Sequence, residues 1–363
     1  MTNIIRKISL VILALVIVSS TSCTSVKFSG YAKIVSSQYQ HTMLIQEDGS
    51  LWAWGRNGFG QLGDGTEEDR ISPVHIMDDV IAVSTGQMHT LAVKSDNSLW
   101  AWGDNGHSQL GTGNTENSLI PIKVMDGVIM ASAGAYSSLA VKEDHTLWGW
   151  GNNGEGLVGD GTTENRNMPV FIMDDVRDVS LSHYNALAIK TDDSLWIWGS
   201  NFDGQIGDGS TEDKLSPVKV LENVASASQS MSSSMAVTRD GQLWWWGSYS
   251  ADSSFTKNTL ILPEKRMENV TAACNGIQGF LIIKEDSSLW GWGVNLGSMV
   301  DSNNVIEPVK IMDDVSSVSQ GPAITVIKKD GSLWAWGIND GYAMMNKDRK
   351  KYYDKPIQIM KAN

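Results

Sequence analysis

Short apolar runs alternate with turn residues along most of this chain, a pattern of strands joined by tight turns. The stretch from Val80 to Met125 shows it clearly. Val80–Ser84 and Thr90–Lys94 are apolar runs, Asp96-Asn97 is a turn, and Leu99–Trp102 is a third run. A glycine-rich loop from Gly103 to Gly113 follows, and Pro121–Met125 closes the unit. The pattern therefore predicts four short strands per unit. The third strand recurs as Leu-Trp-x-Trp-Gly, with its first tryptophan at Trp52, Trp100, Trp148, Trp196, Trp244, Trp290 and Trp334. Fourteen of the 15 tryptophans belong to these seven strings, and Trp245 fills the variable position of the fifth. Each string is preceded by an aspartate (Asp48, Asp96, Asp144, Asp192, Asp240, Asp286, Asp330) and then by Gly, Asn, His, Asp, Gly, Ser or Gly. Those residues best tolerate the positive φ of a hairpin turn.

Strand side chains alternate, so both tryptophans of a string share one face while the residue between them, often small, occupies the other. Such a strand suits a sheet sandwiched between two similar sheets. Four-stranded units repeating at this period predict an all-β fold, a seven-bladed β-propeller spanning residues 31–363. The chain begins with a unit's first half (Ile34–Ser36, His41–Gln46) and ends on a last strand, Pro356–Met360. The expectation is that these N- and C-terminal strands share one blade and close the ring, removing an open sheet edge.

The unit's hallmarks are His89-Thr90-Leu91-Ala92-Val93, then Leu99-Trp100-Ala101-Trp102-Gly103, then Asn105 with Gln109-Leu110-Gly111-Thr112-Gly113. The first unit carries Asn57 and Gly60-Gln61-Leu62-Gly63-Asp64-Gly65-Thr66. These strings resemble the RCC1 repeat, the family of the regulator of chromosome condensation, over roughly residues 32–360. The Gln-Leu-Gly signature is missing from the fifth loop, Ser248–Asn258, and the last two units are shortened.

The first 23 residues read differently. Arg6 and Lys7 precede an apolar run, Ile8–Val18, too short to span a bilayer as a lasting helix, and then the small residues Ser19–Ser22. Cys23 follows, as in a bacterial lipobox, although Ser20 stands where that pattern prefers leucine. Residues 1–23 are thus expected to be a lipoprotein signal peptide with Cys23 as the lipid attachment site, and 24–30 a short tether. An ordinary signal-peptidase cut near Ser22 is the alternative. The expected location is secreted, on the cell envelope and anchored to the membrane by lipid.

Removing that segment takes away Arg6 and Lys7 and no acid, changing the net charge from −13 to −15. So acidic a body repels phosphate backbones, which argues against nucleic acid as a partner. Catalytic signatures are missing too: there is no Gly-x-Ser-x-Gly, Walker loop, His-Glu-x-x-His or Cys-x-x-Cys. The six histidines are spread over four units without ligand spacing, and His41 and His89 share a repeat position that is Ser137, Asn185 and Ser233 elsewhere. A polar residue bonding a turn is the expectation there. The Asp-Gly-Thr and Asp-Gly-Ser loops at Asp64, Asp160 and Asp208 read as capped turns, weak calcium sites being the alternative. Cys274 falls where other units have serine and reads as a buried small residue. The basic run Lys347–Lys351, with Lys355, reads as a solvated loop.

No cofactor, no metal and no enzymatic activity are therefore expected, and the chain is expected to be a monomer. The segment before each second strand varies between units, offering Tyr39, Gln87, Met88, Tyr136, His183, Tyr184 and Met231 on one rim. Tyrosine and methionine bury contact area at low entropic cost, which suits recognition of a protein partner. The resemblance itself implies several roles. The family's founding member is a nucleotide exchange factor for a nuclear GTPase, a role that export and acidity argue against. A plant ultraviolet receptor of the same fold absorbs through tryptophans at positions that are here Tyr39, Gln87, Ala135, His183 and Met231, so that chromophore is absent. A secreted β-lactamase inhibitor with related repeats makes enzyme inhibition the alternative to the first expectation, a surface-displayed protein-binding scaffold.

Overall fold

The computed structural model describes residues 22–23, 32–36, 41–46, 48–250, 257–276, 279–293, 308–320, 323–338 and 352–360. Its strands form seven antiparallel sheets, each made from consecutive strands, so the protein is an all-β, seven-bladed propeller. Blade 1 comprises Ala32–Ser36, His41–Gln46, Leu51–Gly55 and Arg70–Met77, and blade 2 Val80–Thr85, His89–Lys94, Leu99–Gly103 and Ser118–Met125. Blades 3 to 6 run over 128–173, 176–221, 224–267 and 270–312. Blade 7 comprises Val315–Gln320, Ala323–Lys328, Leu333–Ile338 and Tyr352–Met360. First strands of neighbouring blades approach one another and so surround the axis. Fourth strands form the exposed circumference, as the burial of Ser118–Met125 shows.

Ring closure differs from expectation. Ala32–Ser36 and His41–Gln46 pair within blade 1, while Tyr352–Met360 pairs with Leu333–Ile338 in blade 7, so those segments do not share a blade. Each unit already holds four strands joined by short connections. Splitting one across the termini would pay a loop-closure entropy and fill no vacant edge. The N-terminal strand that does join blade 7 is Ser22–Cys23, opposite Ser319 and Val318 of the innermost strand.

The tryptophans explain the repeat. The second indole of a string lies against the preceding blade. Trp102, Trp150, Trp198 and Trp246 donate Nε1–H to the main-chain oxygens of Gln61, Gln109, Leu157 and Gln205 at 2.9–3.0 Å. Hydroxyls of Thr90, Ser138 and Ser234 donate to the first, second and fourth of those oxygens, doubling the bond across the joint. The indole also covers a glycine with positive φ (Gly63, Gly111, Gly159, Gly207). A Cβ at Gly111 would lie 2.7 Å from Trp150 Nε1. The Gln-Leu-Gly string is thus the socket for the next blade's tryptophan.

The first indole is held within its own blade. Asp96 Oδ1 accepts from the amide and hydroxyl of Ser98, and Ser98 Oγ accepts Trp100 Nε1–H at 2.9 Å. Bonds from the serine hold the Asp96 carboxyl below the usual carboxylate range. The residues after these aspartates adopt positive φ as predicted, including Asn97, His145, Asp193 and Ser287. Blade 5 breaks the chain: Gln242 stands in the serine's place, and Trp244 Nε1 is buried without a hydrogen bond. Trp245, the odd tryptophan, is buried and packs edge-on against Phe280 (4.9 Å) and Trp292 (6.4 Å) of blade 6. It supplies a packing wall where blade 5 lacks the Gln-Leu-Gly socket.

His41 and His89 bond the neighbouring blade and not a local turn. Their Nε2 atoms meet Thr90 Oγ1 (3.2 Å) and Ser138 Oγ (3.1 Å), one blade ahead. Both Nδ1 atoms are buried without a hydrogen bond. Burial pulls each imidazole down to about 3, with His41 adding to the effect on His89. Cys274 is fully buried, as expected, with its thiol 3.8 Å from Val318 O.

Two stability measurements follow. Gly111→Ala should cost about 2–4 kcal/mol, because it combines collision with the Trp150 indole and left-handed strain. Gln242→Ser should add about 0.5–1.5 kcal/mol by supplying the missing acceptor for Trp244. Denaturation midpoints of the two variants should move in opposite directions, and a neutral Gly111→Ala would contradict the socket. The histidines generate a pH dependence of definite sign. Their folded pKa lies below the unfolded one, so the unfolded chain takes up protons first as pH falls below about 6.5. Stability should decline from there toward pH 3, by up to about 1.4 kcal/mol per pH unit for each histidine. His41→Asn/His89→Asn, which copies Asn185, should flatten the slope between about pH 6.5 and 4.5; an unchanged slope would show that these rings are not the titrating groups.

Candidate functional site

Strand direction assigns every loop to a face. Loops joining first to second and third to fourth strands open on one face; the aspartate turns and the blade-to-blade turns occupy the other. On the loop face, the first-to-second connections carry the predicted rim. Gln87, Met88, Tyr136, His183, Tyr184 and Met231 are all half-buried there. Tyr39 lies outside the described residues. Main-chain oxygens of Met88, Tyr136, Tyr184 and Ser232 accept the amides of Asp104, Asn152, Ser200 and Ser248 at 2.8–2.9 Å, pinning each connection to its own blade's long loop. Successive connections also meet, as Gln87 N–H donates to Gly134 O at 3.3 Å. Between blades 2 and 3 the rim is therefore continuous.

Its side chains come in pairs. His107, on the long loop of blade 2, packs on Tyr136 of blade 3 with ring centroids 4.7 Å apart. Asn152 Nδ2 lies 3.4 Å from His107 Nδ1. His183 packs edge-on to Tyr184 at 5.0 Å, and burial lowers its pKa. Gln87 Oε1 is buried with no hydrogen-bond partner.

The long loops are stiff. Asn57 Nδ2 donates to Asp64 Oδ1 and Thr66 O, its Oδ1 accepts Leu62 N–H, and its own amide is capped by Asp69. Asn105, Asn153 and Asn201 repeat this role. Asp64, Asp160 and Asp208 cap Thr66, Thr162 and Ser210 and pair with Arg70, Arg166 and Lys214 at 2.5–2.9 Å. Burial pushes the Asp64 carboxyl up, but bonds from Thr66 and Arg70 outweigh it and leave it below the usual range. These acids are committed to the loop. Among the described residues, no three His, Cys, Asp or Glu side chains come together as a metal site. Glu155 differs: burial, with Asp213 nearby, raises its pKa, and its Oε2 is buried without a hydrogen bond.

Two further predicted places can be located. Ser248–Asn258 belongs to a plain hairpin in which Ser248, Tyr249 and Ser250 face Thr259, Asn258 and Lys257; residues 251–256 lie outside the described residues. Lys347–Lys351 also lies outside them, and Lys355 is exposed on an outer strand. Reading the long loops as purely structural hid their tips. Phe59 and Phe202 are exposed there, and so are Ile120 and Met168, each just before the proline of its outer strand. A signal did exist, since Glu68, Glu116, Glu164 and Glu212 recur at one repeat position.

The geometry describes a rigid disc with one loop-bearing face, and known proteins share it. Two models of the regulator of chromosome condensation (RCC1) repeat match, one over residues 48–93, 96–141 and 192–237, the other over 32–61, 80–109, 131–157 and 176–205. Together they cover more than half of the chain. The ultraviolet-B receptor UVR8 of Arabidopsis thaliana is 45% identical over 56 residues, which is 14% of this chain and 13% of the receptor. The chain therefore matches only about an eighth of that relative's length. Human WBSCR16 superposes with a TM-score of 0.74 at 21% identity, over 86% of this chain and 94% of that one. Prp20p of Saccharomyces cerevisiae, studied for its binding to Gsp1p and histones, gives 0.74 at 18% identity over 88% of each chain. Yeast RCC1 (Prp20) bound to Kap60 gives 0.68 at 18% identity, over 80% of this chain and 77% of that one. Matching repeats and matching architecture agree: this chain belongs to the RCC1-repeat family of seven-bladed propellers.

Proposed function

We propose that this chain is a protein-binding scaffold displayed outside the cytoplasm, recognising its partner through the loop face, without enzymatic activity. One observation carries the reading. The residues that the repeat holds constant are consumed in joints between blades, while the rim residues vary freely on a backbone pinned at 2.8–2.9 Å bonds. A stiff frame with variable side chains loses little entropy on binding. Tyr136 and Tyr184 supply the amphipathic contact area that recognition favours.

Display rests on the N-terminal sequence. Arg6-Lys7, Ile8–Val18, the small residues and Cys23 follow lipoprotein order. Lipidation would remove Ser22 and free Cys23 from its pairing with Val318, so the strand Ser22–Cys23 belongs to the uncleaved chain. One acyl chain binds membranes only marginally, and the several chains of a lipoprotein are needed for a stable anchor.

Cys23→Ser should move the protein from the membrane fraction to the soluble one, and mass spectrometry of the unaltered protein should find lipid on Cys23. A mature N-terminus at Thr24 without lipid would contradict the anchor. Met88→Ala, Tyr136→Ala and Tyr184→Ala should each change stability by less than about 1 kcal/mol. At least one should weaken capture of the partner from envelope extracts by about tenfold or more. Full capture by all three, with capture lost on cutting back the Ser248–Asn258 hairpin, would move the site to blade 5.

A further inference from the structure

Both faces of the disc are rich in acids, and they pair them with cations in different patterns. On the turn face, acids stand beside cations in a repeating ladder: Lys123–Asp126, Lys219–Glu222, Lys265–Glu268 and Lys310–Asp313, each three residues apart. His75–Asp78 continues it in blade 1. Among the described residues, the loop face has no such ladder. The long loops of blades 1 to 4, taken as 56–70, 104–117, 152–166 and 200–214, hold thirteen acidic residues against four basic ones. Three of those four cations, Arg70, Arg166 and Lys214, are paired with the loop-capping Asp64, Asp160 and Asp208.

The excess is placed by the repeat. Glu68, Glu116, Glu164 and Glu212 stand 48 residues apart at one position, all exposed, each just before the Asp or Asn that caps its loop's asparagine. Glu68 and Glu164 reach a cation only at 3.6 Å, with side chains 80% exposed. The same loops and the outer strands they enter carry exposed apolar residues: Ile71, Ile120, Met168 and Phe202 are 51–60% exposed. The repeat does not demand an apolar residue at two of these places, since the equivalent of Ile120 and Met168 is Ser72 in blade 1 and Ser216 in blade 4. The result is a partial crown of acid and apolar tips on the loop face of blades 1 to 4.

We propose that this crown binds a basic segment of a partner protein, one carrying lysine or arginine among apolar residues. Charge complementarity selects the occupant. An anionic membrane or a nucleic acid would meet thirteen acids against four basic residues and be repelled. A neutral apolar surface would leave the glutamates unpaired. A cationic, partly apolar segment satisfies both kinds of tip, and long-range attraction to the acidic face would speed its encounter. The inference rests on the protein-binding reading and adds to it the partner's chemistry and a contact surface outside the rim.

The test uses the full chain and a fluorescein-labelled peptide of lysine and leucine spaced by serine, with a glutamate-for-lysine peptide as control. The lysine peptide should bind at low ionic strength and weaken as salt rises past about 0.15 M; the glutamate peptide should not bind. Glu68→Gln/Glu116→Gln/Glu164→Gln/Glu212→Gln should lose at least about tenfold in affinity for it at an unchanged melting temperature. Removing four acids from the opposite face, by Asp78→Asn/Asp126→Asn/Glu222→Gln/Asp313→Asn, should change affinity less than about threefold. Met168→Ser/Phe202→Ser should also weaken binding, separating the crown from simple charge attraction. Equal losses from the two faces, or no loss from the crown variants, would overturn the proposal. Capture of the envelope partner by the unaltered protein, run in parallel, tests the protein-binding reading separately.

Discussion

One contact organises this molecule: an indole N–H donating to a main-chain oxygen of the preceding blade, with the ring laid over a glycine. Trp102 on Gln61 O and Gly63, and its three successors, repeat it around blades 1 to 5. The contact needs a large flat donor on one side. It needs a left-handed residue without a side chain on the other. Those two needs fall on different blades, so each unit must carry both halves, which is why the repeat looks the same from unit to unit. Blade faces alone could slide past each other, since apolar burial has no direction. The directed bond fixes their register.

Where a half is missing, the structure substitutes packing. Blade 5 has no Gln-Leu-Gly socket, and Trp245 turns the opposite way to meet Phe280 and Trp292. The same blade lacks the serine that serves its first indole, and Trp244 Nε1 stays unbonded. In that blade both rings stay packed although two local contacts are lost. Function then falls to what the joints leave over. The loop face has stiff backbones, variable rim residues and exposed glutamates; the turn face carries the spaced lysine–acid pairs.

Much of this was legible in the residues. Tryptophan spacing alone implied seven blades, and Asn97, His145, Asp193 and Ser287 disclosed the positive φ of their turns. Closure was not legible, because the apolar runs Ile34–Gln46 and Pro356–Met360 look the same whether they pair with each other or within their own units. The blade-to-blade bonds of His41 and His89 were not legible either, since sequence shows repeat position but not which blade a side chain faces. The rim was found by its variability. The crown escaped because its glutamates are regular, and regularity in a repeat protein reads first as structure.

The central claim is that the joints are fixed and recognition uses only the loop face. Hydrogen–deuterium exchange on the free protein and on its complex with the captured partner tests it most directly. The amides of Leu62, Leu110 and Ile206, bonded inside the sockets, should exchange slowly in both states. New protection should appear at Gln87–Met88, Ala135–Tyr136 and the loops 104–117 and 152–166, with the turns at Asp96, Asp144 and Asp192 unchanged. Protection concentrated on those aspartate turns, or fast exchange in the sockets of the free protein, would contradict the account.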